Sequence, residues 1–313
     1  MSYISPVTLE ELCLNFISCN IENMCREVLE DGWKLVFKFP VFLHEHLAEG
    51  LMRKLSEGNK LAPRVLTLFQ DGRTCRLKRL FARNVDLPET SLGRIMVQHN
   101  VSELDLCGSN MKLSELFYNC ADNCLLSLQA VNFRNINDTD FSALCKLKAL
   151  RKLDLSKTSL QNCDLHLISD CLVYLEHINI SETNINDPFC FGHLKKRLKT
   201  LLAYDAPVAW NDPLEFAGFS SLLKLDISRN PDNNLGYDWP SDGEKVERLL
   251  QAWQSLPKLI YLDLSGTPRI MDKALQDFLS SHPRLTFLGL CKTGVTSFGD
   301  FFPANIEVGL GCV

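Results

Sequence analysis

From residue 77 to residue 296 the apolar positions recur in one spacing: an apolar residue, two variable ones, an apolar residue, one variable, and a third apolar residue. Three stretches fill every such position and carry Thr at the turn that follows: Leu150-Leu153-Leu155-Thr158-Leu160, Leu175-Ile178-Ile180-Thr183-Ile185 and Leu285-Leu288-Leu290-Thr293-Val295. A fourth, Val101-Leu104-Leu106-Ser109-Met111, has Ser at the turn, and weaker copies begin at Leu77, Leu128, Leu198, Leu222 and Leu259. Successive starts are separated by 24, 27, 22, 25, 23, 24, 37 and 26 residues. All but the 37-residue step fit a unit of roughly 20–29 residues.

This is the grammar of a leucine-rich repeat. Residues three and five places after each start share one face of a short strand and point inward, and the chain then returns as a helix. Phe141-Leu144-Leu147 and Leu165-Ile168-Leu172 have the spacing of such return helices. One unit cannot bury its apolar face alone, so neighbours stack into a continuous core. The predicted architecture is therefore α/β: a solenoid of about nine repeats over residues 66–296, with short parallel strands and return helices, after a small helical module at 1–65 and before a non-repeat tail at 297–313. The long step holds a polar, Gly- and Pro-containing insertion at 231–244, which reads as a loop.

The inner curve is expected to present positions two, four and six of each repeat. Position four reads Phe81, Asp105, Asn132, Asp154, Asn179, Leu202, Asp226, Asp263 and Gly289. Ordinary repeat grammar, with short polar groups between close strands, accounts for the acids better than a ligand track does. Tyr204, Tyr261 and Phe287 are predicted to be exposed there and are the candidate contacts for a protein client. Tyr237 and Trp239 in the insertion are further candidates, against the alternative of a packed-down loop.

Residues 1–65 leave the repeat register. Thr8 and Glu11 have the spacing of a capping box, which starts a helix at Leu9. Leu9, Cys13 and Ile17, with Leu12 and Phe16 beside them, make one apolar stripe. Such a helix could simply cover the open end of the solenoid. The run Thr8-Leu9-x-x-x-Cys13-x-x-x-Ile17 also resembles the BC box, the helix by which adaptor proteins dock on Elongin C. That resemblance implies Leu9 in the Elongin C pocket with Leu12, Cys13, Phe16 and Ile17 packed around it. Phe39-Pro40-Val41-Phe42-Leu43-His44-Glu45-His46-Leu47 resembles the Cullin-2 box, implying a Cullin-2 contact through Pro40, Leu43 and Leu47. Pro40 suits a first helical turn, and Leu43, Leu47 and Leu51 then share a face. An F-box docking on Skp1 also opens with a Pro-led helix, but it has no use for the Cys13 helix upstream.

A BC box, a Cullin-2 box and leucine-rich repeats in that order resemble the Zyg-eleven and Zer-one family, substrate-recognition adaptors of Cullin-2 RING ubiquitin ligases. The likeness extends through Leu66-Thr67-Leu68-Phe69-Gln70-Asp71, Arg76-Leu77-Lys78-Arg79-Leu80, Leu259-x-x-Leu262-Asp263-Leu264-Ser265-Gly266 and Phe287-Leu288-Gly289-Leu290. It implies Elongin B/C and Cullin-2 as partners. Family members continue into armadillo-like repeats, thought to hold the pocket for N-terminal glycine. This chain is expected to be truncated before them, so glycine recognition is not carried over. The competing expectation is a leucine-rich-repeat scaffold with no ligase partner.

Composition narrows the classes that remain. The 313 residues are 46% hydrophobic and 23% charged, with net charge −5 and a pI near 5.8. That balance gives no electrostatic footprint for nucleic acid or an anionic membrane. No run approaches the roughly 20 apolar residues of a membrane span. The N-terminus lacks the basic and apolar regions of an export signal, and the 13 cysteines are odd in number and scattered. An intracellular protein, cytoplasmic or nuclear, with reduced thiols is expected. Cys120 and Cys124 lack a companion pair for zinc, and His44-Glu45-His46 has the wrong spacing for it. No phosphate loop, nucleophile elbow or metalloprotease helix occurs. The sequence nominates no catalytic residue, no metal and no cofactor.

Overall fold

In a computed structural model the described residues are 8–29, 33–118, 120–208, 216, 218–230, 250–251, 253–254, 256–267, 270, 272–296 and 302–309. They fall in two compact units, Met1–Ala149 and Leu150–Val313. Tyr237, Trp239 and the 231–244 insertion lie outside the described residues.

The first unit opens with helix α1 (Leu9–Met24), an antiparallel hairpin of β1 (Cys25–Leu29) and β2 (Trp33–Phe37), helix α2 (Glu45–Glu57) and the short helix α3 (Pro63–Leu66). The hairpin is an addition to the helical module expected from sequence. Repeats then supply β3 (Arg79–Phe81), α4 (Glu89–His99), β4 (Glu103–Asp105), α5 (Leu113–Tyr118), α6 (Asp122–Ser127) and β5 (Ala130–Asn132). Strands β3, β4 and β5 pair parallel, with Leu80, Leu104 and Val131 aligned. The return segment Phe141–Lys146 winds as a 3-10 helix where an α-helix was expected. Its repeat has the shortest step, 22 residues, and a 3-10 helix covers about 2.0 Å per residue against 1.5 Å for an α-helix. Its three residues per turn also place Phe141, Leu144 and Leu147 on one buried face.

The second unit contains β6 (Lys152–Asp154), α7 (Asn162–Cys171), β7 (His177–Asn179), β8 (Thr200–Leu202), β9 (Lys224–Asp226), β10 (Tyr261–Asp263), α8 (Asp272–Ser281), β11 (Phe287–Gly289) and β12 (Glu307–Gly309). The seven strands form a parallel ladder in chain order. The last strand comes from the stretch that follows the recognisable repeats.

The spacing read from the sequence is the spacing of the core. Leu153, Ile178, Leu201, Leu225, Leu262 and Leu288 are all buried, as are Leu155, Ile180, Ala203, Ile227, Leu264 and Leu290 two places on. At the turn, the hydroxyls of Thr158, Thr183 and Thr293 donate to the carbonyls of Leu155, Ile180 and Leu290 at 2.7, 2.7 and 2.8 Å. The residue just before each turn threonine is left-handed: Lys157, Glu182 and Lys292 have φ of 59°, 55° and 53°. Gly266 occupies the same place with φ of 75°, and a Cβ there would meet the carbonyl oxygen of Arg229 at 2.0 Å.

Candidate docking surface

Helix α1 has two unlike faces. Thr8 caps it, its hydroxyl accepting the amide of Glu11 at 3.2 Å. Glu10 and Glu11 lie at its positive end, and the Glu11 carboxylate also reaches Lys54 of α2 at 3.4 Å. On the inner face Leu14, Ser18 and Ile21 are buried. Gly50 of α2 makes the close approach possible, since a Cβ there would meet Leu14 Cδ1 at 2.7 Å. Glu22 pairs with Arg64 of α3, and the Lys60 ammonium donates to the Ser18 carbonyl.

The outer face carries the stripe that the sequence singled out. Leu9 is 77% exposed, Leu12 54% and Phe16 63%; Cys13 is exposed and Ile17 half-buried. A helix serving only as a solenoid cover would turn these residues inward. Here a different set of residues holds α1 to the body, and the stripe faces solvent.

The hairpin and the strap after it continue this character. Leu29 and Trp33 are cross-strand partners and are 67% and 70% exposed. Leu35, in contrast, is buried, and its amide donates to Thr67 Oγ1 at 2.8 Å. Of the fourteen large exposed hydrophobic residues among those described, seven lie between Leu9 and Phe42. Sequence reasoning missed the hairpin. Its signal was present in part: the runs Cys25–Leu29 and Trp33–Phe37 flank Glu30-Asp31-Gly32, which contains a strong hairpin dipeptide.

Pro40 is exposed, but the helix expected to start there begins at Glu45, with His44 as N-cap. The reason is a backbone clasp: the Leu43 amide donates to the Thr74 carbonyl at 2.9 Å, and the Leu43 carbonyl accepts the Arg76 amide at 3.4 Å. This holds Leu43 extended, bridged to Cys75, outside the helix that contains Leu47 and Leu51. Leu43 and Leu47 are each half-buried, and Leu51 is wholly buried.

The position-four acids have a structural use. The carboxylate or amide oxygens of Asp105, Asn132, Asp154, Asn179, Asp226 and Asp263 each accept the backbone amide two residues on, at 2.9–3.2 Å. Ser156, Ser181 and Ser228 add their hydroxyls to the same acceptors. These side chains close the strand-ending turn from within.

The client candidates are less open than expected. Tyr204, Tyr261 and Phe287 are each partly buried. Tyr261 stacks on Phe287, centroids 4.3 Å apart and planes 7° from parallel. The Lys224 ammonium sits 3.8 Å from the Tyr261 ring centre. Adjacent parallel strands bring these three position-two side chains into one stack, so each covers the next. Burial, then the charges of Asp263 and Asp226, pushes the Tyr261 hydroxyl up to about 12. Burial, ahead of the neighbouring Asp263, also raises the Asp226 carboxyl, against the pull of its bonds from Ser228. Burial raises the Tyr204 hydroxyl as well.

Among the described residues no group of three or more His, Cys, Asp or Glu could share a metal ion, and no helix is long and apolar enough to cross a membrane. Cys13, Cys19, Cys25, Cys75, Cys120, Cys124 and Cys190 are among the free thiols. Cys291 departs from the expectation of reduced cysteines, being disulfide-bonded. Residues 166–283 match the profile of Zer-1-like leucine-rich repeats. Among solved structures the chain is similar to an internalin (inlF) from Listeria monocytogenes, at 16% identity and TM-score 0.45, covering 84% of this chain and 77% of that one. It is similar to internalin C2 from the same organism at 18% identity and TM-score 0.42, covering 74% and 80%. It is also similar to the leucine-rich repeat domain of APL1B at 17% identity and TM-score 0.42, covering 74% and 61%.

Proposed function

We propose that the protein, whose residues 166–283 match Zer-1-like leucine-rich repeats, is a substrate-recognition adaptor of a Cullin-2 RING ubiquitin ligase. In this reading α1 docks on Elongin C through Leu9, Leu12, Cys13, Phe16 and Ile17. The strap and start of α2 meet Cullin-2 through Pro40, Leu43 and Leu47. The repeats present a protein client, with Tyr204, Tyr261 and Phe287 as contacts. The adaptor performs no bond chemistry itself. It raises the effective concentration of client lysines near a conjugating enzyme bound to the RING subunit, and it works in the cytoplasm or nucleus.

The observation that carries the reading is the outward stripe of α1. Large apolar side chains more than half exposed on a well-anchored helix are costly to leave in water, and covering them with a partner recovers part of the roughly 1.5–3 kcal/mol that full burial of such a side chain is worth. An amphipathic helix entering a hydrophobic groove is a recurring recognition mode. Co-purification with Elongin B/C and Cullin-2 tests it, wild type beside a Leu9→Arg, Cys13→Arg double variant. The adaptor reading expects a stoichiometric complex from the wild type and none from the folded variant. A wild type that ignores Elongin B/C, or a variant that still binds normally, would sink it.

A further inference from the structure

Strands β4, β5, β7, β8, β9, β10 and β11 each begin with two consecutive amides converging on one carbonyl of the preceding repeat. Ser102 and Glu103 donate to Lys78 at 2.8 and 3.1 Å, and Gln129 and Ala130 to Ser102 at 2.8 and 3.1 Å. The second unit repeats this at Glu176 and His177, Lys199 and Thr200, Leu223 and Lys224, Ile260 and Tyr261, and Thr286 and Phe287. Strand β3 has no repeat before it, so the corresponding amides of Lys78 and Arg79 lack the carbonyl that a preceding repeat would supply. The Glu49 side chain of α2 takes their place: Oε1 accepts from Lys78 at 3.0 Å and from Arg79 at 2.8 Å. Its other oxygen, Oε2, accepts from Arg79 Nε at 2.8 Å. Glu49 is 1% exposed, and a buried carboxylate satisfied on both oxygens is stable where an unmet one is not.

A second substitution sits two turns further along α2. Where position four is not Asp or Asn, the strand-ending amide has no internal acceptor, and a serine of the preceding repeat supplies one. Tyr204 donates to Ser181 Oγ at 3.1 Å and Cys291 to Ser265 Oγ at 3.2 Å. In the first repeat position four is Phe81, and the orphan amide of Arg83 donates to Ser56 Oγ at 2.8 Å. The Ser56 hydroxyl donates in return to the Arg83 carbonyl at 3.1 Å. Glu49 and Ser56 are seven residues apart and therefore on one face of α2, about 10 Å along its axis. The four steps from Arg79 to Arg83 run along β3 and into the turn that ends it.

We infer that α2 is the zeroth rung of the ladder, and that Glu49 and Ser56 are positioning residues fixing the docking helix α1 to the first repeats as one rigid body. The adjacent flank of α2, about 100° around the helix from Glu49, holds α1 through Leu14 over Gly50, so the two contacts form a continuous path from the outward stripe to β3. That this fixed geometry serves delivery of a client rests on the adaptor reading; the coupling itself does not.

Hydrogen–deuterium exchange on the full chain tests the coupling. Glu49→Ala is expected to speed exchange over residues 77–84 at least about tenfold, and to speed it in α1 and α2 as well, with the second unit unchanged. Glu49→Gln keeps an oxygen for both amides and should restore most of the protection at Lys78 and Arg79. Ser56→Ala should act on Arg83 while leaving Lys78 and Arg79 slow. Unchanged exchange at 77–84 in Glu49→Ala, a Gln variant no better than Ala, or a uniform rise through both units would each overturn the inference. Elongin B/C co-purification run on the same wild-type sample separates the two claims: its failure removes the adaptor role and leaves the exchange result to judge the coupling.

Discussion

Leucine has opposite fates at the two ends of the first 201 residues. Leu201, at the centre of β8, is fully buried, whereas Leu9, at the start of α1, is 77% exposed. Both belong to regular spacings in well-formed elements. In the repeat, every apolar position is consumed by the next rung, so the ladder's stability leaves little apolar surface on the strands. In α1 a second, smaller set of inward residues does the anchoring, and the larger stripe is left free. Burial therefore separates residues that make the molecule from residues available to something else, a distinction that composition and periodicity alone do not draw.

The sharpest way to break the contrast is to substitute both leucines. Leu201→Ala should lower unfolding free energy by about 2–5 kcal/mol in urea titration, through lost burial and the cavity left behind. Asp154→Ala comes next, at about 1–2 kcal/mol, because it removes the acceptor for the Ser156 amide and hydroxyl and for the Asn179 side chain. If it cost nothing, the position-four acids would have to be ligand groups after all.

A pH series gives a smaller effect. The Asp226 carboxyl holds its proton more tightly in the fold than in the unfolded chain, mainly through burial. As pH falls through the raised folded value the native state takes up the proton first, so this group opposes folding at neutral pH and the opposition fades on acidification. Asp226→Asn should remove that part of the pH dependence, seen as converging urea midpoints of the two proteins toward low pH. Glu176 runs the other way: its bond from Lys199 lowers its carboxyl, and its contribution is lost as pH falls through the lowered value. Leu9→Arg should do least to stability, within about 0.5 kcal/mol, while abolishing capture of Elongin B/C. A loss comparable to that of Leu201→Ala would erase the contrast and return α1 to the role of a cover.

Nearly all of the ladder was legible in the sequence, because repeat stacking turns one local spacing into a global register. Leu150, Leu175 and Leu285 announced strands that the structure places where they were expected. The module before it was legible only in part. The Thr8 cap and the stripe of α1 follow from local spacing, whereas the late start of α2 depends on Leu43 pairing with Thr74 and Arg76, some thirty residues away in sequence. No local pattern carries that. Glu49 likewise reads as an ordinary helix-surface acid until the unpaired amides of β3 come into view. The aromatic stack of Tyr261 on Phe287 was visible as two aromatic positions, but not as side chains that shelter each other.

The substitution of side chains for a missing rung also bears on how the molecule can be cut. The change of pattern near residue 65 looks like a natural seam. Severing the chain there would strand the amides of Lys78, Arg79 and Arg83 at an open edge that has lost its acceptors, and would bare the apolar flank that α2 covers. A fragment starting at the first repeat would invite strand pairing between copies. The shortest piece of the N-terminal half worth expressing therefore begins upstream of Glu49, with the repeats and the helix before them treated as one part.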